Sequence, residues 1–273
     1  MGIPAVPLTL EGAAVLHQMF RFRWPRWRAT PAGEQAAILA EAAAALQDIV
    51  SSRDGESALY SLLGHKGDLM FVHFRPGFDT LAKAELQLAR TRFSDYLEPT
   101  TSYLSVIELS LYESSVQVYT SLTSQNIEPG TVAWNAEIEA TLERQRKAME
   151  PRLWPDIPPG RYICFYPMNR KRGELKNWYS LPLDDRQRMM HEHGLTGRKY
   201  AGRVKQIITG STGLDDWEWA VDLFADDPLQ FKKVVYEMRF DEASAIYADF
   251  GPFYVGLLLP VADLAQWLNG KAD

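Results

Sequence analysis

The spacing of apolar residues in the first half of the chain alternates between two patterns. A repeat at every second residue is typical of a strand with one buried face, and a repeat at every third or fourth residue is typical of a helix. Gly64 and Gly67 frame a short turn between two apolar runs and indicate a hairpin. The predicted elements are a strand over 12–22, a helix over 34–50, strands over 58–63 and 69–74, a helix over 80–93 and a strand over 103–112.

The second half of the chain repeats this order. The pattern predicts a strand over 161–168, a helix over 184–193, strands over 204–209 and 218–224, helices over 229–240 and 242–250, and a closing strand over 253–259. Residues 124–159 connect the halves and contain a polar helix, predicted over 136–149, and a proline-rich exit. The repeated β-α-β-β-α-β order predicts a duplicated ferredoxin-like unit.

This repeat predicts the α+β class, with duplicated ferredoxin-like units that form a dimeric α+β barrel. We expect an N-terminal ferredoxin-like unit over 1–123, a connecting segment over 124–159 and a C-terminal ferredoxin-like unit over 160–273. Packing the two sheets together would leave room for a flat apolar ligand. Exposed sheet edges would favour oligomerisation.

Composition narrows the class of protein. Of 273 residues, 46% are hydrophobic and 23% charged, which is ordinary for a globular protein. The net charge of −6 argues against a chain-wide surface for nucleic acid. The single cysteine, Cys164, excludes an intrachain disulfide and a four-cysteine metal site. We find no apolar run near the roughly 20 residues that span a bilayer and no secretory signal, and therefore expect a soluble, cytoplasmic protein without a membrane partner.

The histidines show no familiar metal-site spacing. His17 and His73 fall in predicted strands, where a structural role is the simplest interpretation. His191 and His193 are two residues apart on a predicted helix, so their rings diverge by about 200°. No His-Glu-x-x-His motif is present, which disfavours a zinc hydrolase. On these residues alone, His193 is interpreted as structural or exposed to solvent.

The segment CFYPMNRKR, residues 164–172, carries the most chemistry. Alternation places Cys164, Tyr166 and Met168 on one face of a strand, and three cations follow. Charge alone favours a solvated basic loop. The alternative is a face that combines an oxidisable phenol and thioether with cations for acidic groups. Elsewhere, the glycine-rich 210–213 lacks the lysine of a phosphate-binding loop, and no serine-hydrolase elbow occurs.

A series of short motifs resembles the coproheme decarboxylases, the haem-synthesis branch of the chlorite dismutase-like superfamily. The N-terminal half matches more loosely, through LTLEG at 8–12 and YLSVIEL at 103–109. The C-terminal motifs are YPM at 166–168, NWY at 177–179, HGLTGR at 193–198, YAG at 200–202, QIITGS at 206–211, DDWEW at 215–219, EMRFDE at 237–242 and FGPFYVG at 250–256.

The resemblance implies a haem-binding C-terminal unit in the same duplicated barrel, assembled as a homopentamer. It implies that hydrogen peroxide drives the loss of carbon dioxide from two propionates of iron coproporphyrin III (coproheme). Coproheme would be both substrate and redox centre, and haem b the product, formed through a three-propionate intermediate. The pathway also implies transient contact with the coproporphyrin ferrochelatase that supplies the substrate.

The resemblance also assigns roles to residues. His193 matches the axial ligand of the haem iron, which reverses its interpretation above, and Tyr166 matches the tyrosine that becomes a radical. Gln206 falls where chlorite dismutases carry a distal arginine; a neutral amide can hydrogen-bond peroxide but offers no charge to chlorite. Arg170 replaces a lysine common in the family, and it cannot release a proton near neutral pH. The candidates for holding propionates are Arg152, Arg170, Tyr112 and Ser244, and Met168 and Trp217 match positions that line the pocket.

Two other functions stay open at this stage. A haem peroxidase or chlorite-degrading enzyme would use the same pocket, although Gln206 counts against it. A non-catalytic haem carrier or sensor would bind haem b at least as tightly as coproheme and show no peroxide-driven turnover.

Overall fold

The strands of both halves belong to one antiparallel sheet that closes into a barrel. A computed structural model of the chain describes residues 3–270, and within them the strand order is β7-β6-β4-β1-β3-β2-β9-β5, with β5 pairing back to β7. The short strand β8 adds to the outer edge of β5. The strands are β1 (Thr9–Phe22), β2 (Glu56–Leu62), β3 (Leu69–Arg75), β4 (Leu97–Ser110), β5 (Tyr162–Arg170), β6 (Lys205–Gly210), β7 (Trp219–Ala225), β8 (Ala248–Phe250) and β9 (Tyr254–Leu258).

Helices pack on the outside of this barrel. None of those within residues 3–270 is long and apolar enough to cross a membrane. Short 3-10 turns occur at Arg92–Tyr96, Trp178–Ser180 and Val261–Asp263. The helices are α1 (Trp24–Ala29), α2 (Ala32–Val50), α3 (Phe78–Ala89), α4 (Tyr112–Ser124), α5 (Val132–Leu153), α6 (Leu183–Arg198), α7 (Leu229–Met238), α8 (Glu242–Tyr247) and α9 (Leu264–Leu268).

The halves join along two seams. Val106 and Ile107 of β4 pair with β6, and Tyr60 to Leu62 of β2 pair with β9. Each half contributes β-α-β-β-α-β, which confirms the predicted duplicated ferredoxin-like fold. These seams pair parts of strand edges that the separate sheets would leave exposed.

Alternate residues of each strand point into the barrel or out toward the helices. Inward residues of both halves, such as Val15 and Phe165, share one apolar cluster. Outward residues of the second half, such as Leu223, pack instead against Phe231 and Val234 of α7. The outer face of β5, β6 and β7 therefore lies under helices of the C-terminal half.

Several predicted boundaries differ from the structure, and three of the differences affect residues of the predicted site. The strand predicted through Tyr112 ends at Ser110, and Tyr112 begins α4, whose many Ser, Thr and Val residues have low helix propensity and hide the helix. The helix predicted over 184–193 continues through Gly194 to Arg198, so His193 lies inside α6 rather than at its end. The helix predicted over 242–250 divides into α8 and β8, because β8 pairs with β5.

Candidate functional site

A histidine and a carboxylate are paired on two adjacent helices. Nδ1 of His193, on α6, lies 2.8 Å from Oδ2 of Asp241, which caps the N-terminus of α8. Burial acts to raise the pKa of Asp241, but hydrogen bonds from His193 and from Ser244 lower it below its ordinary value. The carboxylate is therefore charged and accepts the Nδ1 proton, which leaves the lone pair on Nε2. Such an imidazole is prepared to bind a metal ion through Nε2.

Ser244 belongs to the same group. Its backbone N–H donates to Asp241 Oδ1 at 2.8 Å. Its hydroxyl oxygen lies 3.3 Å from Asp241 Oδ2 and 3.4 Å from His193 Nδ1. The structure thus places this predicted propionate partner beside the histidine–carboxylate pair.

Tyr166 lies on the outer face of β5, under α7. Its ring stacks on Phe253 with centroids 4.5 Å apart and lies 5.9 Å from Phe250. Burial is the main cause of a raised pKa, which the nearby Arg239 charge partly offsets. The phenol is therefore protonated at neutral pH. Burial also raises the pKa of the neighbouring Cys164 thiol to about 12, so this thiol is not poised to bind a metal ion.

Gln206, on β6, lies on the same outer face, at the level of Cys164 rather than of Tyr166. Antiparallel pairing aligns Gln206 with Leu223 and Cys164, and aligns Ile208 with Val221 and Tyr166. Since neighbouring strands lie about 4.8 Å apart, two strand spacings separate Gln206 from Cys164.

Helix α6 approaches Gln206 closely. A Cβ added at Gly197 would lie 3.4 Å from Gln206 Nε2 and 3.2 Å from Met238 Cε, so glycine permits this approach. His193 and Gly197 are four residues apart and share a helix face. The face of α6 that carries His193 is therefore turned toward the sheet face that carries Gln206.

Arg170, at the end of β5, is a largely buried cation. Its guanidinium donates to the carbonyl of Ala243 at 3.1 Å, lies 3.2 Å from Met190 Sδ and stacks over Trp178 at 4.5 Å. Burial lowers its pKa, but an arginine stays charged at neutral pH. Across residues 3–270, no carboxylate lies within the 4 Å of an ion pair with it.

Aromatic side chains surround Arg170. Tyr112 meets the Trp178 ring edge-on with centroids 6.4 Å apart. The Tyr179 hydroxyl donates to Glu218 Oε2 at 2.8 Å, and the same oxygen accepts from the Arg170 backbone at 3.3 Å. Met168 is half-buried in the apolar cluster of Tyr166. Met168 thus lies on β5 between Tyr166 and Arg170, and Tyr112 lies beside the Trp178 ring on which Arg170 stacks.

The last two predicted residues, Arg152 and Trp217, lie away from Arg170 and in different places. Arg152, in the last turn of α5, lines a cavity of about 370 Å³ together with Gln206 and Ile208, on the side away from Arg170. Trp217 packs against the cluster inside the barrel and contacts Gly251. Arg152 thus joins the group at Gln206, whereas Trp217 stands apart from the outer face of β5.

Comparisons with known proteins agree with this geometry. A family model described as chlorite dismutase matches residues 35–259. The chain belongs to the chlorite dismutase family. This confirms the superfamily that the motifs of the C-terminal half indicated.

Among relatives of this chlorite dismutase family member, a coproheme decarboxylase of Staphylococcus carnosus is 44% identical over 96% of this chain and 97% of its own length. A Haloquadratum walsbyi protein whose name refers to heme binding is 43% identical over 98% of this chain, which spans only 48% of that protein. A heme-binding protein from Thermus thermophilus has a solved structure with a TM-score of 0.83 and 40% identity, covering 98% of this chain and all of the other. A mutant chlorite dismutase of Candidatus Nitrospira defluvii, at 18% identity, TM-score 0.72 and 95% and 96% coverage, shares the fold.

The sequence did not single out two residues of the site in this family member. Asp241 precedes a helix as an N-cap, a signal that could have been found from its position and from Ser244 three residues later. Arg239 lies 3.6 Å above the Phe250 ring and lines a cavity of about 400 Å³ with Cys164 and Phe253. Arg239 and Asp241 both lie in the motif EMRFDE at 237–242, but the motif alone does not assign a role to Arg239.

Proposed function

We propose that this protein is a coproheme decarboxylase, an enzyme that uses hydrogen peroxide to convert two propionates of iron coproporphyrin III to vinyl groups and so makes haem b. The observation that carries the proposal is that helix α6 turns the face bearing His193 toward the sheet face of Gln206 and Tyr166. Identity of 44% to the Staphylococcus carnosus coproheme decarboxylase, over nearly the whole of both chains, supports the same activity.

The residues fit an iron porphyrin. Nε2 of His193 is the free donor, and the Asp241 carboxylate behind Nδ1 orients the ring and raises its basicity. The ring is about one-quarter exposed, so a ligand can reach it. The bound iron porphyrin supplies the centre at which peroxide is reduced, and it is also the substrate.

Tyr166 is the residue that we assign to the chemistry. Each propionate R–CH2–CH2–COO⁻ reacts with one H2O2 and one proton to give R–CH=CH2, CO2 and two waters, so the propionate loses the two electrons that the O–O bond gains. Tyr166 gives up a proton and an electron from its O–H bond, and the phenoxyl then takes a hydrogen atom from the propionate β-carbon. The resulting carbon radical gives up a second electron, which completes the two-electron reduction of the peroxide, and the bond to the carboxylate breaks to release CO2 and leave the vinyl group. The three-propionate intermediate follows the first such event. Packing against Phe253 shields the phenoxyl from water.

The cations around the outer face of β5 and β6 suit a substrate that carries four propionates. Arg170 has neutral hydrogen-bond partners and spare charge, and a propionate would supply the missing anion. Arg152 lies on the Gln206 side, and Arg239 lies beside Tyr166. We assign Tyr112 and Ser244 as hydroxyl partners and Met168 as a pocket-lining residue, whereas Trp217 packs against the cluster inside the barrel. Since arginine does not release a proton near neutral pH, Arg170 positions the substrate and does not act as an acid.

The test is to add iron coproporphyrin III to the protein and titrate hydrogen peroxide, following absorption and mass. We expect two carboxyl groups to be lost in sequence, one per peroxide, ending at haem b. His193→Ala should abolish the histidine-ligated spectrum, whereas His191→Ala, an exposed neighbour on α6, should not. Oxygen release from chlorite without decarboxylation would favour a chlorite dismutase, and haem b binding without turnover would favour a carrier or sensor.

Several narrower expectations belong to the same proposal. They are a homopentamer, a cytoplasmic location, transient contact with a coproporphyrin ferrochelatase, and division of the chain into units 1–123, 124–159 and 160–273. The homopentamer and the ferrochelatase contact rest on the resemblance of the sequence motifs, the division into units rests on the repeated order of predicted elements, and the cytoplasmic location rests on the apolar patterning of the sequence.

A further inference from the structure

A polar pair crosses the interior of the barrel. Nε2 of His17, on β1, lies 2.9 Å from Oδ1 of Asp222, on β7, and both side chains are completely buried. β1 and β7 are not neighbours, because β4 and β6 lie between them in the sheet. The bond therefore joins opposite walls of the barrel, inside a cluster that is otherwise mostly apolar.

Other polar atoms inside the barrel have no partner. Within residues 3–270, His17 Nδ1, Asp222 Oδ2 and the hydroxyls of Tyr60, Ser105 and Thr209 are buried and make no hydrogen bond. Each of these five side chains occupies an inward position of its strand, and each is fully inaccessible from outside.

These groups lie near one another. The charge of Asp222 helps to raise the pKa of Tyr60 and of Tyr103, after burial, which is the larger cause for both. The ring of Tyr103 lies 6.2 Å from the ring of His17. Ile207 of β6 pairs with Asp222, and Thr209 is the next inward residue of that strand. Ser105 is the next inward residue of β4 after Tyr103. The three unpartnered hydroxyls thus lie near the His17–Asp222 pair.

Buried polar groups in native proteins are almost always paired, with protein or with ordered water. Two unpartnered atoms of this ionisable pair and three unpartnered hydroxyls near it require a ligand with several hydrogen bonds. We propose that the barrel interior holds ordered water molecules, bound by His17, Tyr60, Ser105, Thr209 and Asp222. This site is separate from the outer face of β5 and does not depend on the proposed function.

The chemistry of the site selects water over a metal ion. Hydroxyls and an imidazole both donate and accept, whereas a metal ion would use acceptors alone. In the part of the chain that the structure describes, no group of three His, Cys, Asp or Glu residues is placed to hold a metal ion. A buried water typically makes about three hydrogen bonds, which matches this mixture of donors and acceptors.

The sign of a stability change tests the proposal. Thr209→Val and Tyr60→Phe each remove a hydroxyl with little change of shape. If water bonds these hydroxyls, both variants should unfold at a lower denaturant concentration than the native protein, because a bound water loses a partner. If the interior is dry, both should unfold at a higher concentration, because an unpaired group is removed, and that result would overturn the proposal. Tyr254→Phe is the matched control: it belongs to the same cluster, lies outside the polar group and should leave the midpoint nearly unchanged.

Diffraction from crystals of the unaltered protein tests for the water molecules directly, even if a variant does not fold. We expect density peaks within hydrogen-bonding distance of Thr209 Oγ1 and Asp222 Oδ2. An interior without such peaks at a resolution that shows ordered water elsewhere would contradict the proposal.

Discussion

Asp241 serves two structural purposes, because one of its carboxylate oxygens caps α8 and the other lies 2.8 Å from Nδ1 of His193. The start of one helix therefore fixes the ring orientation of a histidine on another. A change at Asp241 should affect both helix stability and any metal ion bound to Nε2.

The two effects can be separated with two variants. Asp241→Asn keeps an N-cap oxygen, so the free energy of unfolding should change little, whereas Asp241→Ala should lose about 0.5–2 kcal/mol. Both variants should weaken the histidine as an iron ligand, because a carboxylate that accepts from Nδ1 raises the basicity of the ring. Resonance Raman spectra of the ferrous haem complex should show a lower iron–histidine stretching frequency in both. An unchanged frequency in Asp241→Asn would contradict a role for this charge.

Tyr166→Phe should separate binding from chemistry. Phenylalanine keeps the stack on Phe253 but lacks the O–H bond that stores the oxidising equivalent. We expect nearly unchanged coproheme binding and a loss of decarboxylation of at least about 100-fold, a range typical of losing a group that acts in the transition state. The measurement is single-turnover conversion followed by mass spectrometry. Tyr162→Phe, on the same face of β5, is the control and should retain activity. Normal formation of haem b by Tyr166→Phe would remove the radical assignment.

The sequence predicted the order of elements well because alternation and helical periodicity are local properties. It could not show that β4 pairs with β6 and β2 with β9, since those seams join residues more than 100 positions apart. The same limit applies to the site. Tyr166 and Met168 were correctly placed on one strand face by alternation, but the pairing of His193 with Asp241 depends on how α6 packs against α8. The family resemblance identified His193 as the iron ligand only because the motif HGLTGR at 193–198 is intact.

Packing around Gly12 gives a stability prediction. A Cβ at Gly12 would lie within 3 Å of the backbone of Leu153, the last residue of α5, which a side chain cannot displace cheaply. We expect Gly12→Ala to lower the free energy of unfolding by about 1–3 kcal/mol. At Gly33, in the first turn of α2, an added Cβ meets nothing within 4 Å, and Gly33→Ala should stabilise by about 0.5–1 kcal/mol. Denaturant unfolding of both variants measures this difference, and equal effects would show that α5 does not pack on β1 as described.

Arg170→Met should weaken the binding of iron coproporphyrin III more than the binding of haem b, which carries fewer propionates. The guanidinium is held by Ala243 and Trp178, and it has no carboxylate partner within 4 Å among residues 3–270, so its charge is available to a propionate. We expect the dissociation constant for iron coproporphyrin III to rise about tenfold or more, the loss expected for one charge-assisted hydrogen bond of about 1.5–3 kcal/mol. Haem b, with two fewer propionates, should be affected less. Optical titration with both porphyrins checks this, with Arg172→Met, an exposed neighbour, as control. Equal losses for both ligands would mean that Arg170 shapes the pocket without pairing with a converted propionate.

His73 should make the fold sensitive to acid. Burial, together with the charges of Arg75 and His17, lowers the pKa of His73 from 6.5 to about 3. The Ser57 hydroxyl, 2.7 Å from Nδ1, can donate to the neutral ring. Between these two pKa values the unfolded chain binds a proton that the folded chain does not, so the free energy of unfolding falls as pH decreases from 6.5 to about 3. The slope approaches about 1.4 kcal/mol per pH unit for one proton. His73→Gln should reduce this slope by nearly one proton in denaturant unfolding measured across the range, whereas His65→Gln, in an exposed turn, should leave it unchanged. If the slope of His73→Gln equals that of the native protein, His73 carries its proton in the folded state.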